Sequence, residues 1–138
     1  IPEGSRLIVA PQNGTATVLQ HPGQPLHVSI DVTQGATSLH THQVIFSADK
    51  SITQIVSNAD VPVGQTVRSA SVQLPSATSA LARQQELIAV RNLGQYDVIQ
   101  NSCVSHVCDV LTAGGKFAPQ PNGSAQLRFL LNLLKEKK

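Results

Sequence analysis

Strands first and helices later is the order written into this 138-residue chain, and it predicts an α+β fold. Three observations carry that expectation. Up to about Leu74 the chain is rich in β-branched residues and broken by Pro, Gly and Asn; after Pro75 its apolar residues take up helical spacing; and no repeat, low-complexity block or linker divides the two parts. The expected architecture is an antiparallel sheet of five or six strands in the N-terminal part, packed against about three helices in the C-terminal part. Residues 1–138 are expected to form one domain, long enough for a real core.

The candidate strands are Leu7–Ala10, Thr15–Gln20, Leu26–Val32, Leu39–Ala48, Ile52–Val56 and Val67–Leu74, separated by turn signals at Asn13-Gly14, Pro22-Gly23, Gln34-Gly35 and Val63-Gly64. Alternation is strict in Leu26–Val32. It puts His27, Ser29 and Asp31 on one face of the strand and Leu26, Val28, Ile30 and Val32 on the other. In Leu39–Phe46 the same rule places His40 and His42 together on one face.

Helices are expected at about Ala77–Val90, Ser102–Ala113 and Ser124–Lys137. Each has a start and a stop: Pro75-Ser76 and Gly94, Asn101 or Ser102 and Gly114-Gly115, Asn122-Gly123-Ser124 and the chain end. In the second, Val104, Val107, Cys108 and Leu111 follow i, i+3, i+4, i+7, so one face packs inward. The last carries Leu127, Leu130, Leu131 and Leu134 at helical spacing and ends in Lys-Glu-Lys-Lys. An amphipathic helix of that kind, over about residues 124–137, is expected to cover the sheet.

Composition narrows the function classes. Aromatic residues make up 3% of the chain and there is no Trp or Met, so Val, Leu, Ile and Ala must build the core and little surface remains for stacking bases. The formal charge of +2 owes much to Lys135, Lys137 and Lys138, which leaves no basic groove, and nucleic acid is not an expected partner. No stretch approaches the roughly 20 apolar residues of a membrane span, and no signal peptide is visible. The start at Ile1 rather than Met is what an excised piece of a longer protein would show. Cys103 and Cys108, five residues apart on one helix, would lie roughly 8 to 9 Å apart by helix geometry, so both thiols are expected to be free. Free thiols suit a reducing compartment.

Chemistry concentrates at Cys103. It falls in the first turn of its helix, where unpaired N–H groups and the helix dipole favour a thiolate, the reactive form. The alternative for such a residue is a small buried hydrophobe. His27, on the polar strand face, could accept the thiol proton, and a second polar group from His40 or His42 could hold its ring in the useful tautomer.

The order of these residues adds a resemblance. A His opening a strand as His27-Val28-Ser29-Ile30-Asp31-Val32, a second His 13 residues on, and a later Tyr96-Asp97-Val98-Ile99-Gln100-Asn101-Ser102-Cys103 running into an apolar helix resemble the circularly permuted papain-like domains. These include the lecithin:retinol acyltransferase-like proteins and the permuted NlpC/P60 hydrolases. The resemblance covers about residues 25–115. Here Ser102 separates Asn101 from Cys103, and His106 or Val107 stands where many members carry an aromatic residue. The Asn-Ser-Cys form followed by Ser105-His106-Val107 is similar to C-terminal toxin domains of secreted bacterial polymorphic toxins.

The resemblance implies a nucleophile at Cys103, a base at His27 and a polar orienter at His40, with His42 competing for that third role. It implies a thiol-dependent acyl hydrolase or acyltransferase acting on an amide, ester or thioester, with no cofactor. Its partners would be an acyl-bearing protein, peptide or lipid and a cognate immunity protein, and it would be delivered by a bacterium into a target-cell cytoplasm. Three other readings use the same residues. One is a zinc site of His40, His42, Cys103 and His106. Another is a histidine-dependent ribonuclease toxin with His27 and His40 or His42 as its acid–base pair. The last is a noncatalytic binding module.

Overall fold

The computed structural model describes residues 12–23, 26–98, 100–120 and 125–136. Among the described residues five strands precede three helices, as expected: β1 (Gly14–His21), β2 (His27–Gln34), β3 (Thr37–Ile45), β4 (Thr53–Ser57), β5 (Arg68–Leu74), α1 (Ala77–Ile88), α2 (Cys103–Ala113) and α3 (Ala125–Glu136). The candidate strand Leu7–Ala10 lies outside the described residues, as do the outermost positions of the expected last helix.

All pairings are antiparallel and the sheet order is β4-β3-β2-β1-β5. Four strands form a meander whose neighbours are joined by short turns, and β5 then docks on the far side of β1. The connection from β4 to β5 therefore runs from one edge of the sheet to the other. It crosses the face that the helices leave open, and two histidines of that face fasten it: His42 Nε2 donates to the Val61 carbonyl at 2.6 Å and His21 Nδ1 to the Gln65 carbonyl at 2.8 Å.

Alternation decides what each face carries. Ala16, Val18, Val28, Ile30, Val32, Ala70 and Leu74 point into one layer, where they meet Ala77 and Ala80 of α1, Val104, Val107, Cys108 and Leu111 of α2, and Leu130 and Leu134 of α3. The core is aliphatic, as the composition requires. Phe46 and Phe117 stand in solvent at 54% and 80% exposure, so aromatic packing contributes little to it. Each fully buried Val or Ile contributes about 1.5–3 kcal/mol relative to exposure.

Two ends position α2 in this layer. At its start Ser102 is the N-cap, forming a reciprocal box: Ser105 N–H donates to Ser102 Oγ at 3.3 Å and Ser102 N–H to Ser105 Oγ at 2.7 Å. A cap of this kind stabilises a helix by about 1 kcal/mol. Asn101, the other capping candidate, does different work. Its Nδ2 donates to the carbonyls of Leu93 and Gln95 at 3.1 and 2.9 Å, and its Oδ1 accepts from Gln43 Nε2 at 2.7 Å, so it ties the approach to α2 onto β3. At the far end Gly115 takes the left-handed conformation at φ 89°, which ends the helix. Gly114 just before it passes so close to β5 and α1 that a Cβ would meet Leu74 Cδ1 at 2.8 Å and Ala80 Cβ at 3.2 Å.

Candidate functional site

Cys103 begins α2 and is 7% exposed. Its thiol donates to the Leu26 carbonyl at 3.3 Å, a contact between residues 77 positions apart. Leu26 precedes His27, and the backbone N–H of Val28, which follows His27, is one of three that favour the charged sulfur, with those of Val104 and of Cys103 itself. The sulfur thus sits against the peptide groups on either side of His27, at a stretch of β2 that β3 leaves unpaired, since their register begins only at Ile30↔Thr41.

Burial outweighs those N–H groups. It pushes the Cys103 thiol above its ordinary value, so the thiolate preference expected from the helix start is not met in this resting arrangement. Cys108, one turn further in, is pushed up to about 12 by burial first and then by the neighbouring Asp109 carboxylate. Both cysteines are free. Limiting iodoacetamide at neutral pH should therefore label Cys103 before Cys108, as read by peptide mapping. Earlier labelling of Cys108 would reverse the ranking. Tyr96, expected as part of the approach to the thiol, lies close enough that a Cys103 charge adds to burial in raising its phenol.

The imidazole of His27 is elsewhere. Strand alternation sends it to the face opposite Leu26 and Val28, where its ring lies 5.3 Å from that of His21, its cross-strand partner. Among the described residues its ring makes no hydrogen bond. Burial first, then the nearby His21 and His42, hold its pKa below the ordinary value, so at neutral pH it is a free base.

Around it is a histidine face. His21 Nδ1 is spent on the Gln65 carbonyl, so its Nε2 accepts from the Ser29 hydroxyl at 2.7 Å; Ser29 Oγ in turn accepts from His40 Nε2 at 2.6 Å. His40 stands across from Asp31, which pulls its pKa up against the larger effect of burial. His42, the competing third residue, is 3% exposed and donates to the Val61 carbonyl, and burial lowers its pKa. Of the two, His42 is the one whose charge His27 senses; His40 is tied to Ser29 instead. His21 was not among the candidates drawn from the sequence. The turn Pro22-Gly23 between two strands held its signal, because a hairpin there pairs His21 with His27.

His106 belongs to the other side of the sheet. It is 4% exposed, its Nε2 bonds Thr41 Oγ1 at 2.9 Å, and burial lowers its pKa to about 3. The zinc reading is corrected by this partition. His40 and His42 leave the sheet on one face while Cys103 and His106 lie under the helices on the other, and among the described residues no group of three or more His, Cys, Asp or Glu could hold a metal ion.

No family model and no curated protein matches this chain. Among solved structures, the crystal structure of a type VI secretion system effector, TseH, is similar, with a TM-score of 0.58 at 13% identity, over 94% of this chain and 97% of that one. The likeness is one of fold. Among the described residues no helix is long and apolar enough to cross a membrane.

Proposed function

We propose that this chain is a thiol-dependent acyl hydrolase or acyltransferase of permuted papain-like type, delivered by a bacterium into a target-cell cytoplasm and restrained in the producer by a cognate immunity protein. The observation that carries the reading is the seat of Cys103: a helix-opening thiol brought from 77 residues away onto the strand end that bears His27, with three backbone N–H groups around its sulfur. The fold shared with a type VI secretion system effector supports the delivered role.

In the proposed reaction the thiol proton passes to neutral His27 and the sulfur attacks an acyl carbonyl. The oxyanion is met by N–H groups at the start of α2, and collapse breaks the bond to the nitrogen, oxygen or sulfur leaving group, which takes the proton from His27. Water or a second acceptor then releases the acyl group from sulfur. The sequence of steps requires the His27 ring to turn to the edge of β2 that β3 leaves unpaired before Ile30. It also requires the thiol to leave the Leu26 carbonyl.

Incubation of the chain with a library of acyl amides, esters and thioesters, followed by intact-mass analysis and peptide mapping, tests this. The expected result is a single acyl mass added at Cys103. No adduct at Cys103 with any donor would sink the proposal. The convergence of His21, His27, His40 and His42 on one face favours a second reading, histidine-dependent cleavage of RNA with Cys103 a bystander. RNA degradation that survives loss of the thiol would select it.

A further inference from the structure

We propose that the strap joining β4 to β5, residues 58–67, is an acid-released cover of the histidine face, held down by His42 in its neutral form and let go when that ring takes up a proton. The device lies on the face away from the thiol and does not depend on the reaction assigned to Cys103.

The strap is fastened at few points. From Pro62 to Thr66 its backbone makes, among the described residues, no backbone bond to a strand of the sheet, and from Ala59 to Val67 every residue but half-buried Val63 is exposed. What holds it across the sheet is the pair of histidine–carbonyl bonds, His42 to Val61 and His21 to Gln65. Beneath it His21, Ser29 and His42 are 1%, 0% and 3% exposed, although the helices pack on the other face. The strap is their cover.

The bonding of His42 decides what a proton would do there. Nε2 donates to the Val61 carbonyl at 2.6 Å, so in the neutral ring Nδ1 is bare, and that atom is buried without a partner. A proton can be added only at Nδ1, where it would be a buried donor with nothing to receive it. The bond to Val61 favours the charged ring, but burial is the larger effect and holds the pKa below its ordinary 6.5. Once the strap lifts, Nδ1 meets water and the ordinary value returns. The released state therefore binds the proton more readily, and release gains ground as pH drops through 6.5.

The surrounding charges do not offset this. His21 on β1 opposes a charge at His42, and a charge at His42 in turn opposes one at His27 on β2. Asp31, also on β2, acts on its cross-strand partner His40. On β4 the residue opposite His42 is Val56, which does not titrate. Asp60 on the strap and Arg68 at the start of β5 are exposed. Across the sheet His106 of α2 senses His42 but stays neutral down to about pH 3.

The test is amide hydrogen exchange on the full ¹⁵N-labelled chain at pH 7.5, 6.5 and 5.5, with rates corrected for the intrinsic effect of pH. Val61 and Val63 report the strap, because their N–H groups bond the Ser57 carbonyl and Asn58 Oδ1 in the bend that His42 holds; Val18 and Val107 report opening of the core. Protection at Val61 and Val63 is expected to be lower than in the core at every pH and to fall between pH 6.5 and 5.5 by up to about tenfold, the limit for one proton taken up on opening. His42→Gln keeps an N–H donor for the Val61 carbonyl and cannot take up a proton, so its strap protection should not change with pH. Brief thermolysin digestion of the natural chain gives a second reading, with cleavage inside 58–67 expected first at pH 5.5 while the rest of the chain stays intact. Strap protection independent of pH in the natural chain, strap amides that open only with the core, a pH dependence that survives in His42→Gln, or thermolysin cleavage scattered along the chain would each overturn the proposal.

Discussion

Under the proposed function, Cys103→Ser is expected to abolish toxicity and acyl turnover, the latter by about 10³-fold or more, while the protein stays folded. The proposed mechanism assigns the sulfur the covalent step, and an alcohol in its place is a far weaker nucleophile at neutral pH. Folding should survive because a serine hydroxyl can still donate to the Leu26 carbonyl that now receives the thiol. The cap and the apolar residues of α2 are untouched. His27→Ala makes the matching test of the base, at a half-buried strand position whose ring has no hydrogen bond among the described residues to lose. Inducible expression of the natural chain and the two variants, with circular dichroism to establish folding, reads the outcome as colony growth. Equal toxicity of three folded proteins would mean that the residues are wrongly assigned, and RNA loss in all three would move the assignment to the histidine face.

The second large effect is on stability in acid. His106 is buried with a pKa of about 3, against 6.5 for the exposed side chain. Below pH 6.5 the unfolded chain takes up a proton there that the folded chain refuses until about pH 3. Stability is therefore full above pH 6.5 and falls as pH drops through that window, by roughly 5 kcal/mol in total from this one residue. That is comparable to the whole stability of many domains of this size, about 5–15 kcal/mol. His27, His40 and His42 are also held below their ordinary values and act in the same direction, more weakly where solvent screens them. Urea midpoints measured at pH 7.5, 6.0, 5.0 and 4.0 should fall steeply below pH 6.5, and His106→Leu should flatten part of that slope. A midpoint unchanged between pH 7.5 and 5.0 would contradict the burial of a neutral His106.

Much of the fold could be read from local signals. The strand from Leu26 to Val32, the helix of Val104, Val107, Cys108 and Leu111 and the turn glycines depend on near neighbours in sequence, and each appears within a few residues of its expected bounds. The α+β order followed from the same signals. The site was legible only in its parts. That Cys103 and the His27 strand meet depends on how α2 lies across the sheet, which no local pattern encodes. Alternation already said that His27 and Leu26 point to opposite faces, yet nothing in the residues said which face would receive the thiol. The zinc grouping failed for that reason: His40 and His106 each looked able to serve as a ligand, and the sheet stands between them. Burial of the Cys103 thiol was equally hidden, because a helix start is usually wet and this one is closed over by the strand end.

The strap that carries the chain from β4 across the open face to β5 also orders assembly in time. The pairings among β1, β2, β3 and β4 join strands linked by short turns, whereas β5 finds β1 across long separations, as in the Thr17–Ser71 hydroxyl contact between residues 54 apart. Closing so long a loop costs chain entropy before any contact compensates it, so such pairings form slowly. The meander can zip up as a series of hairpins, and α1 and α2 pack on its strands, so β5 is the strand whose pairing closes the longest loop. Until the strap is laid down, the histidine face is open to solvent, and His21 and His42 lack the carbonyls of Gln65 and Val61 that fasten them.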